Sequence, residues 1–212
     1  MAELADLPWQ GRGMLLLQGA PDPVVSWARR GLLPVHVVPL AGWTAVMPAG
    51  PSHAMAPYDD TLKALAGRPV PSRLRPALGL FAVDGNAVVS AQRSGWRAAQ
   101  RWYIWMPGEG VVQPRQLVAG RPADLVAVSG TRDRTARRWV RELLVDGGGD
   151  APQFLAGLLE LLALPGSDLL DGRRDPAATR GYIRVEPGEQ HVARFEKTVS
   201  EEARLRAELE ED

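Results

Sequence analysis

The side chains best suited to bind a ligand lie between residues 93 and 106, in the segment RSGWRAAQRWYIWM. Arginines alternate there with tryptophan and tyrosine, and guanidinium groups beside aromatic rings are typical of surfaces that stack bases and neutralise phosphates. On this interpretation the ligand contacts are Trp96, Arg97, Arg101 and Trp105. The alternative is structural, because alternate side chains of a strand face opposite sides and one aromatic set would then belong to the core. Strand alternation favours the structural alternative.

A second group of arginines follows a glycine in the segment DLVAVSGTRDRTARRWV, residues 124–140. Gly130 separates two stretches of helix-forming residues, and glycine adopts the left-handed conformation that ends many helices without a steric penalty. The basic side chains of the second stretch are Arg134, Arg137, Arg138 and Arg141. Because an arginine fork matches guanine edges and phosphate oxygens, these four arginines have the chemistry to bind nucleic acid.

The segment 124–140 resembles the helix-turn-helix motif of bacterial repressors of the lactose-repressor type. In that motif a glycine lies at the turn, and a threonine followed by an apolar residue opens the second helix; Gly130, Thr135 and Ala136 match this pattern. The resemblance implies that the four arginines named above face the phosphates or guanine edges of duplex DNA. It covers 17 of the 212 residues, and no resemblance extends over the whole chain.

Residues that catalyse reactions or hold metals do not occur at the spacings that those tasks need. His36, His53 and His191 are far apart in the sequence, no serine lies in a G-x-S-x-G context, and the chain has no cysteine. The set that comes closest to a catalytic group is His53 with Asp59 and Asp60, which are neighbours of each other in the sequence. Two aspartates before a helix are, however, more often capping residues. We therefore predict no metal site and no cofactor, and an enzymatic activity is not favoured.

The elements that must position these residues follow the order β-α-β-β-α-β. The predicted strands are Met14–Leu17, Val35–Val38, Trp43–Met47, Leu78–Val83, Ala87–Ser90 and Trp102–Met106. Ala41-Gly42 and Asp84-Gly85 are hairpin turns, and a helix that Asp22 caps and Gly31 closes makes the first two strands parallel. We expect an α+β fold with a ferredoxin-like βαββαβ core and extra strands, followed by a helical C-terminal appendage.

The chain after residue 122 is predicted to be mainly helical. Helices are expected over 123–128, 132–145 and 153–163, and the last is so apolar that it must be largely buried. Residues 168–188 are expected to form loops, and a T-x-x-E capping box at Thr198 predicts the start of a charged terminal helix. We therefore divide the chain into an α+β domain over 1–122 and a helical appendage over 123–212.

Charge and hydropathy limit the classes of partner. The formal net charge is zero, but residues 93–141 hold ten basic and three acidic groups, whereas residues 142–212 hold eight and sixteen. Residues 31–58 carry no Asp, Glu, Lys or Arg, yet five prolines interrupt them, so no membrane helix is expected. Without cysteines or a charged leader at the N-terminus, a cytoplasmic location is expected.

Two functions fit these observations. The first is a non-catalytic module that binds a ligand or interacts with a protein partner or with itself. The alternative is a DNA-binding protein that uses the segment 124–140 and the basic charge of residues 93–141. The exposure of the four arginines, and their pairing with carboxylates of residues 142–212, distinguishes the two.

Overall fold

The computed structural model describes residues 12–56, 58–95, 98–113 and 116–210. Within these ranges eight strands form one sheet in which neighbouring strands are antiparallel. The strands are β1 (Gly13–Gln18), β2 (Val35–Leu40), β3 (Trp43–Pro48), β4 (Ala77–Val83), β5 (Asn86–Gln92), β6 (Arg101–Met106), β7 (Gly110–Val112) and β8 (Ile183–Val185). Their order across the sheet is β7-β6-β5-β4-β1-β3-β2-β8.

Helices cover both faces of this sheet. They are α1 (Pro21–Ala28), α2 (Thr61–Ala66), α3 (Pro122–Ser129), α4 (Ala136–Val145), α5 (Ala151–Leu161), α6 (Ser167–Leu170) and α7 (Glu189–Glu210). One core contains the buried side chains of α1 and α2, and the other contains those of α3, α4, α5 and α6. Among the described residues no helix is both long enough and apolar enough to cross a membrane.

Strand β1 explains the two cores. Its sequence is almost wholly apolar, as expected of a strand that is covered on both faces. Leu15 and Leu17 belong to the core under α1 and α2, whereas Met14 and Leu16 belong to the core under α3 to α6. Because side chains of a strand alternate between faces, β1 contributes to both layers and lies between β3 and β4 near the middle of the sheet.

Helix α5 is the main buried element of the second layer. Leu155 and Leu158 are fully buried, and the ring of Phe154 stacks on that of Trp105 with the centroids 4.8 Å apart. Asp150 caps the helix by accepting a hydrogen bond from the Gln153 amide at 2.9 Å. The prediction of a buried helix in this part of the chain is confirmed.

The α+β class is confirmed, and so is the local order of the first strands. Strands β1 and β2 run parallel in one sheet with β3 between them, as the intervening helix predicts. Gly42 and Gly85 have positive φ in two-residue hairpin turns, as expected. The eight-strand order differs from that of a four-stranded ferredoxin-like sheet, because β5, β6 and β7 extend one edge and β8 extends the other.

The C-terminal part of the chain differs from the prediction in three places. Helix α4 starts at Ala136 and not at residue 132. The segment expected to be loop contains β8, which pairs with β2 through Val35 and Val185. The terminal helix starts at Glu189, so the predicted capping box at Thr198 is wrong. The Thr198 hydroxyl instead donates to the Arg194 carbonyl at 3.0 Å, the i−4 bond by which threonine satisfies its hydroxyl inside a helix.

The predicted ends of α1 are also wrong. Ala20 is the N-cap residue, and Asp22 lies in the first turn without capping. Gly31 does not adopt the left-handed conformation; α1 ends at Ala28, and its C-cap residue is Arg29 in a right-handed conformation. Gly31 has a different role, described below.

Residues on both sides of position 122 share one core. Leu80 and Val89 of the sheet belong to the same buried cluster as Leu125 and Leu155 of the helices. The division of the chain into domains at residue 122 stays a prediction about folding units.

The burial of α5 leads to a stability prediction. Replacing Leu158 with Ala should lower the free energy of unfolding by about 2 to 5 kcal/mol, because the truncation leaves a cavity in a filled core. Urea denaturation measures this change. Glu160→Ala is the matched control on the exposed side of the helix and should stay within about 0.5 kcal/mol of the parent. Equal effects of the two substitutions would contradict the burial of Leu158.

Candidate functional site

Arg68 follows α2 in the chain and packs against the C-terminal end of α1. Its guanidinium group lies 3.7 Å from the centroid of the Trp27 ring, and its Nη1 donates to the Ala28 carbonyl at 3.5 Å. Its Nη2 donates to the Trp27 carbonyl. Carbonyls at a helix C-terminus carry a partial negative charge, so the end of α1 holds this cation in place.

Gly31 provides the space for this arginine. A Cβ atom at Gly31 would lie 2.5 Å from Nη1 of Arg68 and 3.0 Å from the Ala28 carbonyl oxygen. Any side chain there would therefore displace the guanidinium group. The absence of a side chain at Gly31 and the carbonyls of α1 together fix the position of Arg68.

Arg68 lies on the wall of a cleft formed by the end of α1, by α2 and by α7. The cleft has a volume of about 510 Å³. Its cationic lining residues are Arg30, Lys63, Arg68 and Arg194, with His191 beside them. Its larger apolar lining residues are Leu32, Tyr58, Pro69 and Phe195. The lining contains no aspartate or glutamate among the residues that the structure describes.

The positive charge of this cleft is largely uncompensated. Lys63 pairs with Asp60 at 3.0 Å, but Arg30, Arg68 and Arg194 form no ion pair with a carboxylate within the described ranges. Burial, and to a smaller extent repulsion by Arg30, lower the pKa of Arg68 to about 10. Arg68 still carries its charge at neutral pH, so two like charges face this cleft near each other.

Helix α7 supplies one wall of the cleft. The ring of Phe195 meets that of Tyr58 edge to face with the centroids 5.0 Å apart. At the start of the helix, the Gly188 amide donates to the Arg29 carbonyl at 2.8 Å. These contacts hold Arg194 opposite the end of α1.

The aromatic and arginine segment 93–106 does not form a single ligand surface. Trp105 is fully buried, and its indole Nε1 donates to the Asp146 carbonyl at 2.7 Å. The prediction that Trp105 stacks on a ligand is therefore wrong, and the structural alternative is correct for this residue. Burial raises the pKa of Tyr103 well above its ordinary value, with a further contribution from Asp124. Trp96 and Arg97 lie outside the described residues.

Arg101 lies on a second, more polar cleft of about 380 Å³. Arg93 and Arg121 also line it, together with Asp124. Nε of Arg93 lies 3.6 Å from Oδ1 of Asp124, and Oδ2 accepts the amide of Arg121 at 3.0 Å. Asp124 thus holds the start of α3 and neutralises part of this charge.

The segment 124–140 forms two packed helices. Gly130 ends α3 in the left-handed conformation with φ 68°, and Thr135 precedes α4, as predicted. Leu125 and Val128 of α3 are buried in the same core as Val140 of α4. The resemblance of this segment to a helix-turn-helix motif stays a prediction.

The four arginines of this segment are all exposed. Arg137, Arg138 and Arg141 lie on one side of α4, because residues three and four apart share a helix face. Arg138 pairs with Glu142 of the same helix at 2.9 Å, and Arg134, Arg137 and Arg141 have no carboxylate partner within the described ranges. Trp139, which is 45 % exposed, lies beside them.

The histidines and the paired aspartates do not converge. Nδ1 of His36 lies 2.9 Å from the Tyr182 hydroxyl, His53 is exposed, and His191 lines the first cleft. Asp60 caps α2 by accepting the Lys63 amide at 3.0 Å. Burial and the charge of Arg184 lower the pKa of His36. In the described part of the chain no three histidine or acidic side chains are placed to hold a metal ion.

No protein-family model, curated protein or solved structure matches this chain. Two cationic surfaces, the cleft beside Arg68 and the exposed side of α4, are the features of the described residues that bear on function.

Sequence patterns did not indicate the cleft beside Arg68. Its residues come from three segments that are distant in the sequence, near positions 30, 65 and 195. The one local signal is the run Arg29-Arg30-Gly31 at the predicted end of a helix, where basic groups can meet helix carbonyls.

Proposed function

We propose that this protein is a non-catalytic ligand-binding module and that the cleft between α1, α2 and α7 binds an organic oxyanion. The observation that carries this proposal is that Arg30, Arg68 and Arg194 line one cleft without a carboxylate on its lining. A bound oxyanion would offset their repulsion and accept hydrogen bonds from arginine forks. Each such bond to a charged group contributes roughly 1.5 to 3 kcal/mol.

The lining supports binding rather than catalysis. Its polar groups are those of the cations and of His191, with the hydroxyls of Tyr58 and Thr198. No hydrogen bond joins the His191 side chain to a hydroxyl or a carboxylate among the described residues. A nucleophile paired with a base is the arrangement expected of a hydrolase or transferase site. The cleft therefore favours recognition of an anion.

We further propose that the central part of the molecule is a ferredoxin-like unit. The strands β4-β1-β3-β2 are consecutive in the sheet, and α1 and α2, which connect them, share one core. On this proposal β5 to β8 and the helices α3 to α7 are additions to the unit. Such sheets serve many unrelated functions, so the cleft and not the fold carries the functional proposal.

The proposed oxyanion site predicts that Arg30 contributes to the affinity for anions. Replacing Arg30 with Gln should weaken binding of the fluorescent anion 8-anilinonaphthalene-1-sulfonate by about 10-fold or more, because one charge-assisted contact is lost. Fluorescence titration measures the dissociation constant.

Arg29→Gln is the matched control, since Arg29 is exposed, adjacent in the chain and absent from the cleft lining. It should leave the dissociation constant within about twofold, as expected for a screened surface charge. Equal weakening by the two substitutions would contradict a defined site and indicate attraction by overall charge.

A second candidate function has its own supporting observation. The exposed side of α4 presents Arg137, Arg138 and Arg141, and only Arg138 has a carboxylate partner among the described residues. This arrangement suits the backbone of duplex DNA. We therefore retain the proposal that α3 and α4 bind DNA, with α4 as the contacting helix.

The DNA proposal makes a prediction about salt. In gel-shift titrations at about 50 mM salt the protein should bind duplex DNA, and Arg137→Ala or Arg141→Ala should each reduce the slope of log affinity against log salt by about one. Arg180→Ala removes the same charge from an exposed position elsewhere and should leave the slope unchanged. The absence of a shift at this salt concentration, or an equal effect of Arg180→Ala, would refute DNA binding by α4.

A further inference from the structure

The cationic cleft beside Arg68 adjoins a smaller, mainly apolar cleft. A neighbouring cleft of about 230 Å³ shares Tyr58 and Phe195 with the first. Its other lining is mainly apolar, with one carboxylate and one hydroxyl: Ala54, Met55, Ala56, Val199, Glu196 and Ser200. The aromatic pair of Tyr58 and Phe195 therefore lies between the two. Charged donors lie on one side of this pair, and apolar side chains predominate on the other.

The apolar side is unusually exposed for residues of its type. Met55 is 67 % exposed and Tyr58 is 42 % exposed, although neighbouring apolar side chains of the same layer, such as Leu62 and Leu65, are buried. An exposed run of apolar surface that begins at a cationic cleft is complementary to a molecule with an anionic head and an apolar chain.

We propose that the ligand of these joined clefts is a single-chain fatty carboxylate. This inference rests on the proposed function, because it places the carboxylate at the arginines of the first cleft. The chain then crosses the edge of the Tyr58 and Phe195 rings and lies against Met55 and Val199. The first cleft alone, at about 510 Å³, is far larger than a carboxylate group, so a ligand that fills it needs an apolar body.

The donor arrangement favours a carboxylate head over a phosphate. Both terminal nitrogens of Arg68 donate to the carbonyls of α1, so this residue contributes mainly its charge. Nε of Arg30 donates to the Ser26 carbonyl at 3.2 Å, which leaves its two terminal nitrogens as one fork. At the end of α1 one fork matches the two oxygens of a planar carboxylate, whereas the third oxygen of a phosphate dianion would need a donor from Lys63, which already pairs with Asp60, or from Arg194 on α7.

The test is displacement of 8-anilinonaphthalene-1-sulfonate from the full-length protein by octanoate, decanoate and dodecanoate below their micelle concentrations. Affinity should rise with each added methylene, by up to about fourfold. Decanol, acetate and inorganic phosphate should each displace the probe at least about 10-fold less well than decanoate, because each lacks the head or the chain. Dodecyl phosphate should bind no better than dodecanoate.

A substitution in the apolar cleft distinguishes the contribution of the ligand's fatty chain to affinity from that of its carboxylate head. Met55→Ser should reduce the dependence of affinity on chain length while leaving the dissociation constant of octanoate within about twofold. Because Met55 is largely exposed, the substitution should leave the fold intact. Val145→Ser, at a residue 74 % exposed on α4, is the control and should preserve the full chain-length dependence.

The other outcomes overturn the fatty carboxylate, the proposed anion function, or both. Binding that requires the anion but is independent of chain length would overturn the fatty carboxylate and leave the proposed anion function intact. Equal binding of decanol and decanoate would overturn both. Dodecyl phosphate that binds about 10-fold tighter than dodecanoate would overturn the carboxylate head and keep the amphiphilic ligand.

Discussion

Burial of the central strands on both faces is the constraint on which the rest of this structure depends. Leu15 and Leu17 of β1 point into one core and Met14 and Leu16 into the other, so a slip of one residue in the pairing with β3 or β4 would exchange the two sets. The register is therefore tightly specified, and helices must cover both faces. The layer of α1 and α2 and the layer of α3 to α6 follow from this requirement.

The two layers place the two cationic surfaces on opposite sides of the sheet. Trp27 of α1 is buried in the first layer, and its outer ring face and helix-end carbonyls hold Arg68, so the charge of the cleft is fixed by the core beneath it. Packing of α4 in the second layer buries Val140 and turns its arginines outward. The sheet therefore separates the two surfaces for which binding is proposed.

Short sequence patterns predicted the structure of single elements but not the contacts between segments that are distant in the chain. The hairpins at Gly42 and Gly85 depend on two residues each, and α5 on its own apolar composition, so both were predictable. Strands β7 and β8 have only three residues each and exist because β6 and β2 offer them a partner. The alternation along β6 predicted that one aromatic set is core, which Tyr103 and Trp105 confirm. The cleft beside Arg68 could not be predicted, because its lining depends on the packing of α7 near the end of α1.

We propose that the arginines of the cleft form a defined oxyanion site. An NMR titration of the ¹⁵N-arginine-labelled protein with decanoate, following the side-chain Nε signals, tests this directly. The signals of Arg30, Arg68 and Arg194 should shift together and saturate with one dissociation constant, while those of Arg29 and Arg141 should stay unchanged. Shifts that follow the exposure of each arginine, with Arg68 among the least affected, would contradict the claim.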